Sequence, residues 1–131
     1  MDSRHGLRSD LGRVRGLGSA KEGVQHWWWQ RVSAIALIPL SLWFVACIVF
    51  LLDADRATAL TWLGSPVTLG LMSLFLIALI YHAVLGLQVV IEDYVHAKPA
   101  KLILLLVIQF AGFALAAVGI IAMLLITIYG G

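Results

Sequence analysis

Three stretches without a single charged side chain govern what this chain can fold into: residues 32–52, 67–91 and 102–129, of 21, 25 and 28 residues. A helix rises about 1.5 Å per residue, so a hydrocarbon core about 30 Å thick takes about 20 apolar residues per crossing. Each stretch is long enough for one passage. The whole chain has 131 residues, 62% of them hydrophobic and 12% charged, with a mean hydropathy of +0.99. A soluble domain is roughly half apolar and about a quarter charged. Composition and spacing therefore imply an all-α integral membrane protein, a bundle of three transmembrane helices with no room for a separate soluble domain. The expected spans are about 30–52, 67–91 and 102–129, within an anchor domain of residues 26–131.

The first 25 residues carry Gly6, Gly12, Gly16, Gly18 and Gly23 among arginines and short acids, with no apolar periodicity, and read as a flexible cytoplasmic tail without a helix. The first apolar run comes late and is long, so it is expected to stay as a span rather than to be cleaved as a secretory signal. Arginines in the tail suit an organellar transit peptide, but Asp2, Asp10 and Glu22 count against one. Pro39 should kink the first span. Residues 53–66 form a polar connection in which Trp62 suits an interfacial anchor, and Glu92 to Lys101 form a charged hinge with Pro99 as a helix break.

Lysine and arginine number six in residues 1–31, one in the first connection, two in the second and none after Lys101. With three spans the tail and the second connection share a side, which the positive-inside rule makes cytoplasmic. The expected location is a bacterial inner membrane, with the C-terminus periplasmic. Trp27, Trp28 and Trp29 at one face and Tyr129 at the other fit an aromatic belt. Membrane orientation also explains the net charge of +2 and the pI near 9.0 better than nucleic-acid binding does. The single cysteine, Cys47, lies inside the first run, which excludes an intrachain disulfide, a CxxC redox pair and a cysteine-built metal site.

His82 is the only histidine inside an uncharged run, three positions from the midpoint of the second span, or about 5 Å of helix. An imidazole at that depth must face a protein interior. Two readings are open: an interhelical hydrogen bond, or an axial ligand of haem. Gly86 lies one turn on, where a missing side chain leaves room either for a flat macrocycle or for ordinary helix packing. At about 100° per residue Asp93 returns to within about 20° of His82. Tyr94 beside it lies about 18 Å along the helix, at the cytoplasmic interface, where tyrosine is also a common anchor. Arg31 at the mouth of the first span is either an orientation-setting cation or, at the same level as Asp93 and Tyr94, part of one interfacial site. A planar guanidinium suits a haem propionate or a polarised carbonyl. His26 has the same level and a weaker claim. Gly112, Ala116 and Gly119 on the third run allow a close helix approach. No phosphate-binding loop, dinucleotide fingerprint, zinc motif or catalytic triad is present.

The stretch HAVLGLQVVIEDYVHAKP at residues 82–99 and the span mouth HWWWQRVSA at residues 26–34 together resemble the hydrophobic membrane anchor subunit of bacterial succinate dehydrogenase, respiratory complex II. The topology behind the resemblance covers most of the chain, and its motifs about a quarter. It implies that His82 is one axial ligand of haem b and binds its iron, the other ligand lying on a companion cytochrome b subunit. It implies that Tyr94 donates a hydrogen bond to ubiquinone with Asp93 in the same pocket, that Gly86 packs against the haem, and that Arg31 pairs with a haem propionate or supports the quinone pocket. His26 is implied as a propionate contact, although it stands one residue nearer Arg31 than in the enterobacterial pattern. The companion cytochrome b itself is disfavoured as an identity, since its Ser-x-x-His-Arg motif is absent. FAD and iron–sulfur clusters would belong to flavoprotein and iron–sulfur partner subunits that feed electrons from succinate to ubiquinone, joining the tricarboxylic acid cycle to electron transport. Two other readings stand beside this one. A haem-free structural anchor of a fumarate reductase-like complex would need no ligand. A small transporter or channel subunit would use His82 as a proton relay, but no span contains an acidic residue.

Overall fold

The computed structural model describes residues 18–130, with side chains from Gly23 onward. Among them all regular structure is helical: α1 Gly18–Leu51, α2 Arg56–Leu63, α3 Pro66–Tyr94 and α4 Lys98–Tyr129. Three of these, α1, α3 and α4, are long and apolar enough to cross a membrane. The reason is the solvent: in hydrocarbon every backbone amide must be paired within its own segment, so a long uncharged run has the helix as its only open form.

α1 begins at Gly18, earlier than the sequence suggests, so residues 18–25 are its first turns rather than part of a non-helical tail. Extending an existing helix fixes one residue per hydrogen bond, whereas starting one fixes several, and Ala20, Lys21, Glu22 and Gln25 are good helix formers. The remainder of the tail, residues 1–17, lies outside the described residues. α1 also runs on through Pro39 without a break in its helical assignment.

The first connection holds a helix of its own. Asp55 caps α2 by accepting the Thr58 backbone N–H at 2.9 Å. Gly64 closes it, donating its N–H to the Leu60 carbonyl at 2.9 Å. Trp62 then stacks on Trp43 with ring centroids 6.1 Å apart, folding the connection back onto the end of α1. Hydrogen bonds from Thr58 hold the Asp55 carboxyl below its ordinary pKa. A carboxylate lowered in the folded state contributes stability above its ordinary pKa and loses it as the pH falls through the lowered value.

Ser65 caps α3 by accepting the Thr68 N–H at 3.3 Å, with Pro66 in the first turn, where its missing N–H costs nothing. Pro99 has the same place in α4. It therefore starts the third span, and the charged hinge contracts to residues 95–97.

α3 packs between α1 and α4, which barely touch each other. The α1–α3 contact includes Phe44 stacked on Phe75, centroids 4.8 Å apart, and Trp29 edge-on to Tyr81 at 6.3 Å. The α3–α4 contact is closer because glycines stand in it. A Cβ on buried Gly112 would meet Val84 Cγ2 at 2.8 Å and Ile80 Cγ2 at 3.3 Å, and one on Gly119 would collide with the end of Leu76. The close approach expected of these glycines is thus present. Val84 and Ile80 are β-branched and stiff at χ1, while the end of Leu76 can rotate away. Gly112→Ala is accordingly expected to destabilise the assembled protein by about 1–3 kcal/mol, and Gly119→Ala by clearly less. Thermal unfolding of the two detergent-solubilised variants checks the order; equal stability would show that α3 and α4 are free to move apart.

Candidate functional site

The contact between α1 and α3 carries the polar side chains that the bilayer would otherwise exclude. His82 lies on the face of α3 turned to α1, partly buried, with Nδ1 3.0 Å from Ser33 Oγ. Its Nε2 is 3.5 Å from Gln30 Nε2, at the outer limit of a hydrogen bond. Ser33 itself is buried and donates its hydroxyl proton to the Gln30 carbonyl at 3.0 Å. The interhelical hydrogen bond, one of the two readings of His82, is therefore made. It engages one ring nitrogen firmly and the other weakly, so a ligand role is not closed off.

Gly86 follows one turn along α3, where a Cβ would sit 3.9 Å from Gln30 Nε2. That is ordinary contact, so the glycine leaves space beside Gln30 and not a crowded approach. His26, Gln30 and Ser33 stand at i, i+4 and i+7 on α1 and so share one face. Two of their polar atoms, His26 Nε2 and Gln30 Oε1, are buried with no hydrogen-bond partner among the described residues. A buried polar atom with no partner costs about 1–3 kcal/mol, and such atoms at membrane depth mark a place where a further polar group belongs.

The other candidates lie apart from this cluster. Arg31 is exposed, its guanidinium 5.2 Å from the centre of the Trp27 ring, one turn toward the tail. Asp93 and Tyr94 are exposed at the end of α3, Tyr94 by 77%. Since Gln30 stands opposite Gly86 and the helices are antiparallel, Tyr94 is about 12 Å further along, level with the turns before His26. Within this chain Arg31 makes no ion pair or hydrogen bond with Asp93 or Tyr94 among the described residues. The shared level expected from the sequence is thus offset by about two turns, because the register between α1 and α3 is set by side-chain packing and not by distance from the span ends. Among the described residues no three His, Cys, Asp or Glu side chains gather as a metal site. An apolar groove of about 320 Å³ opens between α3 and α4, lined by Tyr81, Gln88, Gln109 and Phe113 among others, and none of the six candidate residues lines it.

Sequence reasoning singled out His82 but not Gln30. The signal for Gln30 was available in the i, i+4, i+7 stripe of polar residues that enters an apolar helix.

Fold and site together define a multi-pass membrane protein whose polar residues converge on one imidazole between its first two spans. A family model of succinate dehydrogenase/fumarate reductase transmembrane subunits matches residues 6–128. The chain is 33% identical over 103 residues to the succinate dehydrogenase hydrophobic membrane anchor subunit of Rickettsia bellii, covering 79% of this chain and 82% of that one. It is 31% identical over 110 residues to the subunit of the same description from Paracoccus denitrificans, covering 84% of each. No solved structure matches. The chain belongs to the succinate dehydrogenase/fumarate reductase transmembrane subunit family, and within it is similar to the hydrophobic membrane anchors of succinate dehydrogenase.

Proposed function

We propose that this chain is the hydrophobic membrane anchor of a bacterial succinate:ubiquinone oxidoreductase, supplying one axial ligand of haem b and part of the ubiquinone reduction site. The observation that carries the reading is the α1–α3 polar cluster: a deep imidazole with Nδ1 engaged, beside buried His26 Nε2 and Gln30 Oε1 atoms that have no partner among the described residues. These residues fit a haem. His82 Nε2 would hold the iron in place of its weak 3.5 Å contact with the Gln30 amide, Gly86 would leave space beside the ring, and His26 and Arg31 would serve the propionates. Haem supplies one-electron transfer when bound. With one imidazole at this depth the second ligand comes from a companion cytochrome b subunit.

The chain's own residues do three things in this reading. α1, α3 and α4 hold flavoprotein and iron–sulfur partner subunits at the bilayer, on the side where residues 1–31 and 98–101 carry eight of the nine basic residues, the cytoplasmic face of the inner membrane. Tyr94 directs its hydroxyl to a ubiquinone carbonyl as the quinone gains two electrons and two protons. Asp93 stands beside it in the same pocket.

A second reading draws on the same geometry. His82 has a hydrogen-bond partner without any cofactor, which is what a haem-free anchor of a fumarate reductase-like complex would also show. The two separate in a dithionite-reduced minus oxidised spectrum of the complex purified through this chain, with its companions identified by mass spectrometry. A sharp b-type α-band with flavoprotein and iron–sulfur subunits is expected. The same companions with no band would leave the haem-free anchor, and no companions would overturn the assignment.

A further inference from the structure

We infer that Ser33 is a positioning residue that sets the tautomer and ring orientation of His82, an inference that rests on the reading of His82 as a haem ligand. A serine hydroxyl has one proton and accepts through its lone pairs, whereas a backbone carbonyl only accepts. Ser33 Oγ lies 3.0 Å from the Gln30 carbonyl and 3.0 Å from His82 Nδ1. Both contacts are hydrogen bonds in one arrangement alone: the hydroxyl donates to the carbonyl and accepts from an Nδ1–H. A neutral imidazole carries one N–H, so Nε2 is left with the lone pair, the form a metal ion takes. Ser33 is 6% exposed, which keeps water from replacing it. The serine is itself held by the helix it stands on, since its bond to the carbonyl three residues back fixes its rotamer. The ring is thus gripped from α1 at one nitrogen, while the other keeps its lone pair and has only the Gln30 amide, 3.5 Å away, to give way to a metal ion.

An acceptor on the far nitrogen of a ligating histidine fixes the ring plane and makes the ligand more basic, which favours the ferric state. In the intact complex Ser33→Ala leaves Nδ1–H without an acceptor. The expected result is a ferric/ferrous equilibrium shifted about tenfold toward ferrous, a rise of about 59 mV in the haem midpoint potential. The largest g-value in the low-spin ferric EPR spectrum should move as well, because the ring plane is released. Ser33→Thr keeps the hydroxyl and can make the same backbone bond, so it should restore both values. Ser33→Cys, a weaker acceptor of similar size, should move both part of the way. A packing role alone would predict the reverse order, with the larger threonine the worst of the three.

Unmoved potential and g-value in Ser33→Ala, or a shift that threonine leaves uncorrected, would overturn the inference. The parent reading is kept separate by His82→Ala in the same complex. Haem that survives His82→Ala defeats the ligand assignment and this inference with it, while haem that depends on His82 but ignores Ser33 defeats this inference alone.

Discussion

His82→Ala is expected to lower the haem content of the purified complex by more than about tenfold while the subunits still co-purify. The magnitude follows from what is removed. Losing an outer partner of a metal ligand typically costs about 10- to 100-fold in metal affinity, so losing the ligand itself costs more. Assembly should suffer less. The same substitution removes the hydrogen bond between Nδ1 and Ser33 at 3.0 Å and the weak contact of Nε2 with Gln30 at 3.5 Å, and leaves the Ser33 bond to the Gln30 carbonyl in place. The loss is about 1 kcal/mol of net interaction, in a membrane where interhelical hydrogen bonds are modest in any case. The aromatic contacts of Phe44 with Phe75 and of Trp29 with Tyr81 remain, as does the whole α3–α4 contact around Gly112 and Gly119. The measurement is the b-type α-band per mole of this chain, with companions quantified by mass spectrometry. A purely structural histidine gives the opposite pattern, with haem unchanged per assembled complex and the yield of complex reduced.

The open row of helices leaves room for the companion that the proposed haem site calls for. α1 and α4 each meet α3 and scarcely meet each other, so large apolar side chains such as Leu42 and Phe113 remain exposed within the chain. In water that surface would be a liability. In a bilayer it is neutral toward lipid and free for another subunit's helices, so stability within this chain comes from close packing at a few glycines and from polar contacts such as Ser33 with His82.

Which of these features the sequence reveals depends on whether they are local. The three spans can be read from residue order because hydrocarbon imposes a length and forbids charge, and Asp53, Glu92 and Lys101 mark the limits without any structure. The capping of α2 by Asp55 is also local, but its eight residues show too little periodicity to stand out from a polar connection. The start of α1 at Gly18 is hidden by the glycines around it, which argue against helix one residue at a time while propagation from the apolar run argues for it. His82 stands out in the sequence because a titratable group at membrane depth is rare. Its pairing with Ser33, and the offset of Arg31 from Tyr94, depend on how α1 slides along α3, and that register is fixed by contacts such as Phe44 on Phe75 between residues far apart in the chain.

That offset bears on the quinone site. With Tyr94 about two turns beyond Gln30 and about three beyond His82, a quinone held by Tyr94 would occupy the interface and not the haem contact, so the two functions should be separable by mutation. Tyr94→Phe removes one hydroxyl from a side chain that is 77% exposed within this chain and makes no hydrogen bond among the described residues, so folding should be unaffected. In the proposed role, what is lost is a donor to a quinone carbonyl that becomes more negative as electrons arrive. A hydrogen bond to a charged group is worth about 1.5–3 kcal/mol, or about 10- to 100-fold in rate if it is felt in the transition state. Succinate-dependent ubiquinone reduction by Tyr94→Phe is therefore expected to fall by about that factor. Succinate oxidation with a soluble dye that takes electrons upstream should keep its wild-type rate, and the haem band should keep its intensity. Equal loss of the quinone and dye activities would place the defect in assembly. Full retention of both would mean that Tyr94 is only an interfacial anchor and that the quinone is held by the partner subunits.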